Sequence, residues 1–188
     1  SMRMKFNTKS LFVSLAFGVF ALVGFQLVQA QYCLPVYGNQ CTSDDYINQV
    51  TFAGINQLGS GCGTPGASNY TNYSGLYTAN VVANQPYTIT CAPGPTWGQY
   101  FVAMIDLNHD NDFADAGEFF DIGYSLGGGT VSNTITVPCF ALTGPTRLRV
   151  MCQYSNTQLT QLDICNPTLS FGEVEDYNIV ITQPTTTD

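Results

Sequence analysis

The chain has 188 residues, with five lysines and arginines against thirteen acids. Three of the five basic residues (Arg3, Lys5, Lys9) lie at the very start, so from Gln31 onward only Arg147 and Arg149 face all thirteen acids, a formal −11. Such a balance excludes a phosphate-neutralising patch for nucleic acid and a basic footprint for anionic lipid, and it favours cations as partners.

In chain order, residues 1–30 read as a secretory signal peptide. A positive start is followed by the apolar run Leu11 to Leu27 and by Val28-Gln29-Ala30, a small-residue cleavage motif. The run is marginal in length for a membrane span and no basic stop follows it, so no membrane association is expected once it is cleaved. Residues 31–182 suit one domain with its own core. Stretches rich in β-branched and aromatic residues recur at Tyr46–Phe52, Tyr87–Cys91, Tyr100–Leu107, Thr130–Val137, Arg147–Tyr154 and Tyr177–Thr182. Turn-forming clusters such as Gly59–Gly66, Ala92–Gly98 and Gly127–Gly129 separate them. Short strands with frequent turns predict an all-β fold, an antiparallel β-sandwich of jelly-roll-like type. Residues 183–188, rich in Thr and Pro, read as a linker or tail.

Seven cysteines behind a signal peptide read as disulfides with at least one left over. A Cys152–Cys165 bridge would close a short loop, although spacing alone does not determine connectivity. Zinc is the other use, and the sequence offers no C-x-x-C pair and one histidine for it.

The most informative segment runs from Asp106 to Glu118. Oxygen-bearing side chains recur at Asp106, Asn108, Asp110 and Asp112, with Glu118 downstream. Calcium takes six to eight hard oxygen ligands, and a loop that turns alternate side chains inward can supply them; magnesium takes fewer from protein. These five residues are therefore the expected Ca2+ ligands. Asn111 stands where an EF-hand has glycine and is suited to a left-handed turn. Glu118 falls one residue later than the EF-hand register. His109, between two expected ligands, reads as a solvent-facing spacer.

Near the end stands Phe171-Gly172-Glu173-Val174-Glu175-Asp176-Tyr177, leading into a strand. With Tyr32-Cys33, Tyr46-Ile47 and Val50, the Tyr70 and Tyr73 pair, the Asp106–Glu118 loop and Arg147-Leu148-Arg149, this pattern resembles the GEVED domain family of secreted Bacteroidetes-type proteins, over most of Gln31–Thr182. The resemblance implies a β-sandwich module found beside peptidases, adhesion domains and secretion-sorting domains, with no defined activity. The chain departs from the pattern at Asn111 and in the additional Cys91, Cys139 and Cys152. On strand periodicity, Glu173 and Glu175 share one side, as do Arg147 and Arg149. They are expected to face each other as structural ion pairs in bidentate contacts, with Asp176 available to complete the calcium shell.

No H-E-x-x-H helix is present, and His109 is the one histidine, leaving no second one to build a metal or relay site, so the domain is not expected to be an enzyme. A glycosidase using a carboxylate pair is the weakest of the readings. The reading preferred is a calcium-stabilised recognition or adhesion module at the cell surface or outside the cell, taking a glycan or a surface protein. Tyr70, Tyr73, Tyr77, Trp97 and Tyr100 are candidate stacking residues. The alternative is a structural spacer or a self-assembling fibre subunit.

Overall fold

The computed structural model describes residues 32–39, 41–63, 69–166 and 168–185; the expected leader at 1–30 and residues 186–188 of the expected tail lie outside them. Among the described residues ten strands form two sheets: β1 (Ile47–Phe52), β2 (Ile55–Leu58), β3 (Tyr70–Asn72), β4 (Thr78–Val82), β5 (Pro86–Pro93), β6 (Gln99–Ile105), β7 (Phe119–Ser125), β8 (Val131–Thr136), β9 (Gly144–Gln153) and β10 (Gly172–Thr182). No α-helix occurs among the described residues, and two short 3-10 turns complete the regular structure. The fold is an all-β sandwich.

The smaller sheet has the order β2-β1-β5-β8 and the larger β3-β10-β9-β6-β7, with β4 also paired to β10. Pairing is antiparallel except at one edge, where β3 and β4 both run parallel to β10. This corrects the wholly antiparallel expectation. The chain reaches β3 from the other sheet, by a crossover that leaves strand direction free, whereas a hairpin would force reversal.

Side chains alternate between two cores. Between the sheets lie Val50, Phe52, Ile89 and Ile135 from one side and Phe101, Ile105, Leu148, Val150, Tyr177, Ile179 and Ile181 from the other. The larger sheet also buries its outer face: Val102, Met104, Met151 and Val174 are covered by Phe113, Leu159, Ile164 and Leu169 from the long loops. A sheet buried on both faces has no polar outer stripe, so its strands lack a clean alternation.

The disulfides are Cys33–Cys165 and Cys41–Cys62, while Cys91, Cys139 and Cys152 are free. The proposed Cys152–Cys165 bridge is therefore wrong. Cys152 lies in β9 and points between the sheets, whereas Cys165 lies in the loop that covers the outer face. Cys33–Cys165 spans 132 residues and closes the N-terminal segment over that face. In the chain-entropy account a loop of that length is worth about 5 kcal/mol.

Candidate functional site

β10 carries charged residues to both of its faces, and its register decides their partners. Asp176 pairs with Arg149 across the ladder, while Glu175 lies opposite Val150 and Glu173 opposite Cys152. Arg147 and Arg149 therefore share a face with Asp176, and the two glutamates point the other way, between the sheets. The expected Arg–Glu ion pairs are replaced by Arg149–Asp176, at 2.7 Å and 2.9 Å in a bidentate contact, and Arg147–Asp176 at 3.1 Å. One residue of register moves a side chain to the opposite face, which is why a correct pairing of strands was read with the wrong acid. Asp176 is thus the arginines' partner and not a ligand of the acidic loop.

The arginine cluster is built from distant parts of the chain. Arg149 Nη1 donates to the Cys33 carbonyl, and Tyr70 donates its hydroxyl to Asp176 at 2.9 Å. Arg147 lies over the Tyr32 ring at 5.1 Å, Tyr32 stacks on Phe113 at 4.8 Å, and Arg149 lies over Phe113 at 5.0 Å. Burial, with the Asp176 charge and hydrogen bond adding to it, pushes the Tyr70 hydroxyl up to about 12.

Glu173 and Glu175 are fully buried. Glu173 accepts the Ile47 N–H at 2.9 Å, and Glu175 accepts the Tyr177 hydroxyl at 2.5 Å, leaving its Oε1 with no partner. Burial raises both carboxyls, Glu173 to about 9 with help from the Glu175 charge and Glu175 to about 7 against its hydrogen bonds.

In the acidic loop the five expected ligands divide. Asp106 and Glu118 are buried and brace the backbone. Asp106 accepts the N–H groups of His109 at 2.7 Å and Asn111 at 3.1 Å and the Tyr32 hydroxyl at 2.5 Å; Glu118 accepts those of Leu107 at 2.8 Å and Asp115 at 3.2 Å. Burial raises the Glu118 carboxyl despite the two backbone hydrogen bonds. Asp110 and Asp112 gather instead with Asp115, with one oxygen of each within 4.8 Å of the others. The Asn108 amide donates into this group, to Asp110 at 2.9 Å and Asp115 at 2.6 Å. Three converging carboxylates with an amide between them are a donor set that a hard cation fits. Asp115 escaped the sequence reading because it breaks the every-second-residue rhythm; its spacing of three from Asp112 was the available signal. Asn111 adopts the left-handed conformation expected of it, at φ 72°.

The aromatic candidates also divide. Tyr70 is engaged with Asp176, Tyr73 stacks on Tyr177 at 5.7 Å, and Tyr77 meets Tyr177 edge-on at 6.2 Å. Tyr100 packs against the outer core. All four are partly buried and pack against the two cores. Trp97 is 44% exposed and meets Tyr154, 48% exposed, edge-on at 5.7 Å; Tyr154 meets Phe171 in the same way at 6.2 Å. These three rings line a cleft of about 330 Å³ with Ser43 and Asp45. Asp45 is only 4% exposed and accepts the amide of buried Gln99 at 2.8 Å, whose own Oε1 has no partner. Burial raises the Asp45 carboxyl, with the Gln99 hydrogen bond opposing. Tyr154 and Phe171 were missed because they are separated in sequence and meet only where β9 ends and β10 begins.

Two predictions follow from the charges of β10. Arg149→Met leaves Asp176 buried with a weakened partner set and lowers stability by roughly 3–5 kcal/mol, a fall of roughly 6–20 °C in a thermal melt; adding Asp176→Leu recovers part of that loss. The glutamates have folded-state values above the unfolded 4.5, so the folded chain retains protons that the unfolded chain releases. Their stabilising contribution is complete below about 4.5 and is lost as pH rises through about 7 and about 9, at up to about 1.4 kcal/mol per pH unit for each group. Melts of Glu175→Gln against the parent chain from pH 5 to pH 9 should show the variant gaining relative stability as pH rises.

No curated protein matches the chain. Among solved structures, one describing X-ray photoreduction of a polysaccharide monooxygenase CBM33 matches at 15% identity with a TM-score of 0.31. The alignment covers 55% of this chain and 58% of that one, and at that score it says nothing of function. The family model of the GEVED domain matches residues 100–180, from β6 through the acidic loop and β9 into β10, and leaves β1 to β5 outside the match. Through that segment the chain carries a GEVED domain.

Proposed function

We propose that this β-sandwich is an extracellular recognition module that holds a neutral glycan in the cleft of Trp97, Tyr154 and Phe171, with the acidic loop stabilised by calcium. The cleft is the observation that carries the reading. Exposed aromatic faces stack on the C–H faces of sugar rings, and Asp45 and Ser43 at the same wall accept and donate hydrogen bonds to hydroxyls. The surrounding chain is acidic, which disfavours uronate or sulfate at this cleft. Two disulfides support an oxidising compartment, and no helix among the described residues is long and apolar enough to cross a membrane.

A binding role without turnover is supported by the position of Glu173 and Glu175. These two neighbouring carboxyls, which a glycosidase could have used, are sealed between the sheets and line neither pocket. The spacer or fibre reading draws support from one place. Cys139 is an exposed free thiol beside Phe140, 67% exposed, and Leu142.

On a glycan array and then by calorimetry, Trp97→Ala should weaken binding of neutral oligosaccharides at least tenfold, while Tyr73→Phe leaves it unchanged. Absence of binding to any neutral glycan by the parent chain would remove the reading. Calcium has its own test, a melt with millimolar calcium against chelator. A site with a dissociation constant of about 0.1 mM adds about 1.4 kcal/mol at tenfold excess, or roughly 3–6 °C. Asp110→Asn with Asp115→Asn should abolish that rise without lowering the melt in chelator, since both are exposed. Asp106→Ala should lower the melt in chelator, because three donors lose their acceptor.

A further inference from the structure

A second pocket, of about 270 Å³, opens where the acidic loop meets β9 and β10; Tyr32, Asp106, His109, Asn111, Arg147 and Asn178 are on its wall. Its charge differs from that of the rest of the acidic chain. Arg147 and Arg149 share the one carboxylate of Asp176, and with Asp106 on the wall the pocket and its floor carry two positive and two negative side chains. Arg149 is 1% exposed and its nitrogens are engaged by Asp176 and the Cys33 carbonyl. The cation that reaches the pocket is Arg147, whose side chain is 23% exposed. Arg147 uses Nη1 alone, toward Asp176 at 3.1 Å and Asn72 at 3.5 Å; its Nε and Nη2 give no hydrogen bond to a described residue.

A second observation is independent of the arginines. His109 Nε2 is shielded from solvent and has no hydrogen-bond partner among the described residues. A buried polar group left so is costly. The left-handed backbone of His109, φ 61°, holds the ring against Gly144, at the pocket wall. Asp106, the acid on the wall, is already engaged by Tyr32 and by two backbone N–H groups.

We propose that this pocket binds a carboxylate. The unused N–H edge of Arg147 takes both oxygens in the bidentate geometry that guanidinium favours, and His109 Nε2 supplies a further hydrogen bond. Asn178 and Ser74, also on the wall, are placed to meet polar groups next to the carboxylate. Two sources share this chemistry, a sugar acid and the free C-terminus of a peptide. The site is separate from the aromatic cleft and does not depend on the glycan reading.

The test is a calorimetric titration of the folded domain in buffer with millimolar calcium. The probes are sodium glucuronate, its neutral methyl ester, trialanine, and trialanine amide. Saturable binding of glucuronate or trialanine is expected, with the ester and the amide at least tenfold weaker. Preference for glucuronate assigns the sugar acid, and preference for trialanine the peptide terminus. Arg147→Gln should weaken binding at least tenfold, Arg147→Lys less so, and Trp97→Ala not at all. Because Arg147 also touches Asp176, His109→Asn is the second variant: asparagine tolerates the left-handed backbone and should weaken binding without lowering the melt. Equal binding of acid and blocked probes, no saturable binding of either acid, or full binding by both variants would overturn the proposal.

Discussion

Two guanidiniums close on the single carboxylate of Asp176, on the face of β10 that points away from the other sheet, and much of the molecule is arranged to make that contact tolerable. Charges removed from water are costly unless every one is paired and hydrogen-bonded. Here the compensation comes from the Cys33 carbonyl, the Tyr70 hydroxyl and the faces of Tyr32 and Phe113. Those groups belong to the N-terminal segment, β3 and the acidic loop, none of which is near Arg149 in sequence. The ion cluster therefore fixes where these segments lie, and the Cys33–Cys165 disulfide fastens one of them over it.

The opposite face of the same strand carries the complementary arrangement. Glu173 reaches across the sandwich to the Ile47 N–H, so one carboxyl links the larger sheet to the first strand of the smaller. Glu175 shares the Tyr177 hydroxyl. Gly172 opens the strand at φ 145°, where a Cβ would run into the Cys152 carbonyl and the Tyr37 ring. In the run from Gly172 to Tyr177, then, glycine permits a close approach, two acids serve the inter-sheet core, Val174 fills the outer core and Asp176 holds the arginines. Every position has a packing or pairing task, and the surfaces suited to recognition lie elsewhere, on loops held by this framework.

Those surfaces have contrasting chemistry. The aromatic cleft sits where β9 ends and β10 begins and presents ring faces above a buried carboxyl. The pocket beside the acidic loop presents the exposed edge of a guanidinium and an unpartnered imidazole nitrogen. The loop contributes to the second through its backbone, since Asp106 and Glu118 hold the turn that places His109 and Asn111 at the wall. Cation binding at Asp110, Asp112 and Asp115 would thus stiffen a segment that also shapes a pocket.

The sequence alone determined what depends on local pattern. Strand-forming stretches separated by turn clusters marked β1, β5, β6, β8, β9 and β10, and the run of oxygen-bearing side chains marked the acidic loop, because side-chain direction in a strand and ligand spacing in a turn are short-range properties. It did not mark β2, β3, β4 or β7. Of these, β2 and β3 are short, β3 and β4 pair in parallel with a strand about a hundred residues away, and β7 bends at Gly123, beside an irregularity in its register with β6. Nor could it choose between Asp176 and the glutamates as the arginines' partner, since that choice turns on a register of one residue between β9 and β10. The cleft of Trp97, Tyr154 and Phe171 and the partnering of Cys33 with Cys165 were likewise decided by tertiary structure. Contacts of this kind are set by how two distant segments pack, and nothing local in either segment records the other.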